Sequence, residues 1–202
     1  RQRQMCIRDR IVIDAGNTNI VIGFYTKNKL IKIIRLKTEK RVNITQKEIN
    51  KFFKSNKKLI NNLKDRFCIL SSVVPSLNLI FKNIFQKNKF KFYVINPKKI
   101  PFRNSINYNL NQIGSDRIAN YAYVYSKKIK DCIIVDFGTA TTFDVIKNNQ
   151  YLGGLIFPGI NLSMETLLKN AELIKTSKIS KSNKIVNNNT SCLLYTSDAA
   201  DE

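Results

Sequence analysis

The feature that most constrains this chain occurs twice: an apolar, strand-like run that ends in Asp-x-Gly, followed by a second apolar run. "IVIDAGNTNIVIGFY" covers residues 11–25 and "IIVDFGTATTFDVI" covers residues 133–146. The β-branched residues in each favour strands, and the glycine lets the chain reverse within a few residues. A glycine bend also lets backbone N–H groups approach an anion with no Cβ in the way. Asn17 and Thr18 add side-chain donors in the first copy, and Thr139, Thr141 and Thr142 in the second. One Asp-Gly bend on its own often means only a hairpin turn. Two bends in matching surroundings point instead to a pair of phosphate-binding loops, each with an aspartate able to hold a cation.

The surroundings do match. After the first bend, residues 30–36 alternate like a third strand, and Thr45 with Glu48 forms a capping box ahead of Ile49, Phe52 and Phe53 on one helical face. Residues 67–73 read as a buried strand, and Pro75 opens a helix with Leu77, Ile80, Phe81, Ile84 and Phe85 at helical spacing. Residues 90–95 read as a further strand. In the second half, Ser115 is placed to cap a helix bearing Ile118, Ala122, Tyr125 and Ile129. Strands are expected at 132–135, 141–146 and about 150–156, with a turn at Asn148-Asn149 and an apolar helix over 161–173 after "GGLIFPG". Three strands and a helix therefore recur. The expected fold is α/β: one domain type duplicated over residues 11–110 and 111–190, with a cleft between the copies.

The ends carry no such pattern. Residues 1–10 and 191–202 read as a non-native leader and tail, taking Cys6 and Cys192 with them, and the native protein is expected to continue beyond about Thr190.

Composition removes several chemistries. The chain has no histidine, so Ser-His-Asp, Cys-His and histidine-metal mechanisms are excluded, and carboxylates must carry any proton transfer. There is no CxxC pair, and Cys68 and Cys132 sit in apolar runs as small hydrophobes. The net charge of +21 is spread over lysines along the whole chain, without an arginine-rich arm. It reads as a composition bias that favours anionic substrates and not as a nucleic-acid footprint. No run is apolar over the length a membrane span needs, and a cytoplasmic location without membrane or nucleic-acid partners is expected.

With these motifs in place the sequence resembles the actin-like ATPase and sugar kinase superfamily (ribonuclease H-like domains), and within it type III pantothenate kinase. "DAGNTNIVIG", "SSVVPSLN", "IGSDRIANYAYVY", "VDFGTATTFDVI" and "YLGGLIFPGINLSMETL" occur in that family's order over residues 11–190. The resemblance implies ATP-dependent phosphorylation of pantothenate, the first committed step towards coenzyme A, with magnesium and a monovalent cation, potassium or ammonium. It implies that Asp14, Ala15, Gly16, Asn17, Thr18, Asn19, Ile20, Val21 and Thr139 hold ATP and that Asp136 holds the monovalent cation. Tyr108, Gly114, Ser115, Asp116, Arg117 and Thr190 match the substrate-binding positions, with Asp116 as proton acceptor. A homodimer is implied for the full-length protein.

The residues themselves agree with that chemistry. Phosphoryl transfer needs positioning and charge neutralisation more than covalent catalysis. An aspartate is ionised at neutral pH and can take the hydroxyl proton late along a loose transition state. Asp116 could instead be an acidic residue placed in a helix's first turn by the dipole, and Arg117 a surface ion pair. Beside Arg117 and the loop pair, Asp116 reads better as the proton acceptor, while Arg117 reads either as that surface ion pair or as a bidentate fork for a carboxylate. Two further readings stand: a non-catalytic transcriptional accessory factor on the same scaffold, and another small-molecule kinase of the superfamily.

Overall fold

In the first copy of the repeat, Ile11, Ile13 and Ala15 are fully buried, whereas Asp14 faces outward. The aspartate is the one exposed residue at the end of an otherwise core-facing strand, so its charge stays in water. That strand, β1 (Arg10–Ala15), continues antiparallel into β2 (Asn19–Thr26), with Ala15 opposite Ile20, and then into β3 (Lys29–Lys37). The computed structural model describes residues 9–172 apart from 28, 40, 41 and 64, together with 186, 188 and 189. The readings made for residues 1–8, for Thr190 and for the tail lie outside the described residues, as does the last residue of the expected 161–173 helix.

Strand β4 (Phe67–Ser72) runs parallel to β1, and β5 (Lys91–Val94) runs parallel to β4, giving the order β3-β2-β1-β4-β5. Parallel neighbours require crossovers. These are α1 (Val42–Ser55) with the short α2 (Lys57–Asn61), and α3 (Pro75–Lys87), which Pro75 opens as expected. The core between sheet and helices is aromatic. Phe85 meets Phe53 edge-on at 4.8 Å and Phe90 edge-on at 5.2 Å, and stacks on Phe92 at 5.6 Å. Burying one such ring stabilises the fold by about 1.5–3 kcal/mol.

Two capping expectations are corrected. Thr45 lies inside α1 and is fully buried; its hydroxyl accepts from Glu39 N–H at 3.0 Å and faces the Glu39 carbonyl at 3.3 Å. It ties the helix to the preceding segment, which a capping box does not do. At α4 (Ser115–Ser126) the N-cap is Gly114, and Ser115 is the first helical residue, its hydroxyl directed elsewhere. The buried face of α4 carries Arg117, Ile118, Tyr121 and Val124, whereas Ile129 lies beyond the helix and is exposed.

The chain divides into two compact units, Arg1–Lys130 with Asn149–Tyr151, and Asp131–Asn148 with Leu152–Glu202. Helix α4 packs within the first unit, against β4. The second repeat forms a separate sheet in the order β6-β7-β8, from β6 (Cys132–Phe137), β7 (Ala140–Lys147) and β8 (Gln150–Pro158). It is followed by α5 (Ile160–Asn170), which buries Met164. On β6, Ile133, Val135 and Phe137 share an exposed face, while Asp136 points to the other, half-buried one. Strand β8 starts in the first unit, where Tyr151 pairs in parallel with Ile106. No helix among the described residues is long and apolar enough to cross a membrane.

Candidate active site

The bend between β1 and β2 comprises Gly16–Thr18. Gly16 N–H donates to the Asn19 carbonyl at 2.9 Å. Thr38, just past β3, holds the bend from outside: its hydroxyl donates to the Gly16 carbonyl at 2.8 Å and its N–H to the Thr18 carbonyl at 2.8 Å. With those carbonyls tied down, the bend offers a ligand mainly N–H groups and the exposed side chains of Asn17, Thr18 and Asn19. Ala15 and Ile20 are fully buried, so only their backbone could meet a nucleotide, and Val21 is half-buried within β2.

Register then brings a second element beside this bend. In the β1–β4 pair, Asp14 lies opposite Ser71 and Ala15 opposite Ser72, and Val73 N–H donates to the Ala15 carbonyl at 3.1 Å. Ser115 bolts the start of α4 onto that strand end. Its hydroxyl accepts from Ser72 N–H at 2.7 Å, donates to the Ser72 carbonyl at 2.9 Å and receives the Ser71 hydroxyl at 3.3 Å. One proton and two lone pairs are thereby committed, leaving no side-chain capacity for a ligand. Ser72 in turn steadies the entry to α3, its hydroxyl bonding Val74 N–H and carbonyl at 3.1 Å each.

Asp116 follows in the first turn of α4, where a negative side chain complements the helix dipole. One of its oxygens accepts from Arg117 N–H at 2.8 Å. The carboxylate occupies the space that a Cβ on Gly114 would need. Any side chain at 114 would therefore displace it, although the Gly114 backbone itself (φ −64°, ψ 149°) suits any residue.

Arg117 is only 6% exposed, with its guanidinium between two aromatic faces: 5.9 Å from the Tyr108 ring centre and 5.8 Å from that of Tyr151. Both distances fall within cation–π range. Tyr121 lies behind, its hydroxyl 2.8 Å from the Asn149 carbonyl and 3.2 Å from that of Ser105. Burial pushes the Tyr121 phenol up from its ordinary value, which keeps it a donor.

The second bend, Gly138–Thr139, is tighter. Gly138 N–H donates to the Ala140 carbonyl at 3.1 Å, and Gly159 N–H, at the N-cap of α5, donates to the Thr139 carbonyl at 2.9 Å. A Cβ on Gly159 would overlap the Gly138 carbonyl and sit 2.7 Å from the Thr139 carbonyl. Asp136 lies opposite Thr142 across β6–β7, and Thr142 Oγ1 is buried without a hydrogen-bond partner. Among the described residues no cluster of three or more His, Cys, Asp or Glu could hold a metal ion. A cation would have to use single carboxylates with hydroxyl, carbonyl or phosphate oxygens.

Of the residues singled out from sequence, the first unit thus carries Asp14 to Val21, Tyr108, Gly114, Ser115, Asp116 and Arg117, and the second carries Asp136 and Thr139. Thr38, Ser71, Ser72 and Tyr151 were not among them.

A family profile described as type III pantothenate kinase matches residues 10–195. A type III pantothenate kinase of Geotalea daltonii is 39% identical over 185 residues, covering 89% of this chain and 71% of that protein. One of Pelagibacter ubique is 37% identical over 188 residues, with the same two coverages. Among solved structures, a Campylobacter jejuni protein assigned to the Baf family of transcriptional activators superposes with a TM-score of 0.55 at 24% identity, covering 92% of this chain and 72% of that one. An Aquifex aeolicus Ppx/GppA phosphatase gives a TM-score of 0.51 at 16% identity, covering 84% and 60%. The structural likenesses establish the fold, the actin-like ATPase class expected from the sequence. The family match and the curated relatives go further: this chain belongs to the type III pantothenate kinase family.

Proposed function

We propose that this protein transfers the γ-phosphate of ATP to the primary hydroxyl of pantothenate, giving 4′-phosphopantothenate and ADP, the first committed step of coenzyme A biosynthesis. The observation that carries the reading is the start of α4. There Asp116 and Arg117 are set side by side, and Ser115 fastens them to the strand end next to the Gly16 bend.

In the reaction the hydroxyl oxygen bonds to the γ-phosphorus, the bond from that phosphorus to the β–γ bridging oxygen breaks, and ADP leaves. Asp116 takes the hydroxyl proton as the new bond forms. Arg117 holds the substrate carboxylate through its planar fork, with Tyr108 against the substrate. Gly114 leaves room for the Asp116 carboxylate, and Ser115 contributes to substrate binding through its backbone, its hydroxyl being committed. The N–H groups and side chains of Asp14–Val21 and Thr139 take the ATP phosphates. Magnesium, when bound, neutralises charge developing on the phosphate oxygens. The exposed Asp14 carboxylate fits a hydrated divalent ion, and Asp136 with the unpartnered Thr142 Oγ1 fits a potassium or ammonium ion. A cytoplasmic homodimer completes the reading, supported by the family resemblance.

The transcriptional reading gains nothing here. The likeness to the Campylobacter jejuni protein is at 24% identity and carries the fold alone, while relatives at 37–39% are kinases by name.

Replacing Asp116 with Asn tests the proposal. Turnover of ATP with pantothenate is expected to fall by about 10²–10⁴ while nucleotide affinity stays within about threefold of wild type. Undiminished turnover would remove Asp116 from its role.

A further inference from the structure

Tyr151, the second residue of β8, is fully buried; it begins the motif "YLGGLIFPGINLSMETL", but the resemblance gives it no role. It contacts Arg117, Tyr108 and Tyr121. Its ring faces the Arg117 guanidinium at 5.8 Å, meets the Tyr108 ring edge-on at 6.1 Å and packs on Tyr121 at 5.5 Å. Its carbonyl accepts from Asn107 N–H at 2.8 Å, and it bridges Ile106, so its backbone anchors the segment that carries Tyr108. The two tyrosines are not equivalent. Tyr108 is 38% exposed and can meet a ligand, whereas Tyr151 has no exposed surface at all.

We propose that Tyr151 is the positioning residue of the carboxylate-binding arginine: a fixed, dry aromatic wall that aims the Arg117 fork towards the Tyr108 side and sets the kinase's preference for an acidic substrate. This rests on the assignment of Arg117 to the substrate carboxylate. A guanidinium is planar and weakly hydrated, so an aromatic face orients it without offering a competing hydrogen bond. A carboxylate in place of that wall would add a competing charge, and an aliphatic side chain would offer no π face to orient the guanidinium.

The test compares Tyr151→Leu, Tyr151→Phe and Arg117→Met in the full chain, using pantothenate and a neutral amide of pantothenate as alternative acceptors. Tyr151→Leu is expected to raise KM for pantothenate about tenfold. Its kcat and its KM for ATP should stay within about twofold, and the amide should be handled as by wild type, so the acid-over-amide preference shrinks about tenfold. Tyr151→Phe, which keeps the ring, should restore the preference. An equal loss on both acceptors, or a loss confined to kcat, overturns the proposal. If Arg117→Met leaves the acid preference intact, the carboxylate assignment itself fails. If Arg117→Met abolishes the preference and Tyr151→Leu does not, only the role of Tyr151 fails. Should Tyr151→Leu not fold, the wild-type Arg117 Nε–Hε NMR cross-peak, identified by its loss in Arg117→Lys, decides. Shielding by two ring faces is expected to move it upfield of the exposed arginines, and an unshifted peak overturns the proposal.

Discussion

The bend at Gly16–Thr18 is braced from outside by the hydroxyl and N–H of Thr38, whereas the bend at Gly138–Thr139 is braced by the backbone N–H of Gly159. The first brace contains a side chain that can be trimmed while a second hydrogen bond stays in place. The second depends on a contact that exists only because no side chain is there. The aspartates differ as well: Asp14 is exposed at its strand end, and Asp136 is half-buried opposite the unpartnered Thr142 hydroxyl. Two bends of like sequence have thus settled into unlike supports. Tolerance to substitution should follow the support and not the motif.

The largest effect is expected from Gly159→Ala. The added methyl would meet backbone carbonyls of Gly138 and Thr139, which cannot swing aside as a side-chain tip would. Overpacking of this kind costs about 1–3 kcal/mol. If this bend takes ATP phosphates as proposed, shifting it by about 1 Å is expected to lower turnover by about 10²-fold. Thermal melts together with ATP saturation curves would measure both. A wild-type KM for ATP in this variant would break the contrast between the bends.

A much smaller effect is expected from Thr38→Val, which removes the hydroxyl bonded to the Gly16 carbonyl but keeps the N–H bonded to Thr18. The loss is about 1 kcal/mol, equivalent to roughly fivefold in ATP affinity. Nucleotide titration would sharpen the comparison, and a loss as large as that in Gly159→Ala would erase it.

Much of this was legible in the sequence because it is local. Strand alternation around Asp14 and Asp136, the proline opening α3 and the acidic first turn of α4 all follow from residues within a few positions of each other. The supports were not legible, because each comes from far along the chain. Thr38 reaches Gly16 through the pairing of β2 with β3, and Ser115 reaches Ser72 only once β4 lies beside β1. Tyr151 is one of eight tyrosines and only the first residue of its motif; its burial against Arg117 goes with its pairing to Ile106, which local sequence does not reveal. The capping readings at Thr45 and Ser115 failed for a related reason. The Ser115 hydroxyl found its partner at Ser72, far along the chain, and the Thr45 hydroxyl at Glu39 just ahead of the helix, in place of the helix ends beside them.

The most direct measurement of the central claim is phosphorus NMR of the purified full chain with ATP, magnesium, a potassium salt and pantothenate. The account predicts ADP and a phosphomonoester on the primary hydroxyl of pantothenate in equal amounts, and no consumption of ATP when pantothenate is omitted. Release of free phosphate without the ester, or no turnover under any of these conditions, would contradict it.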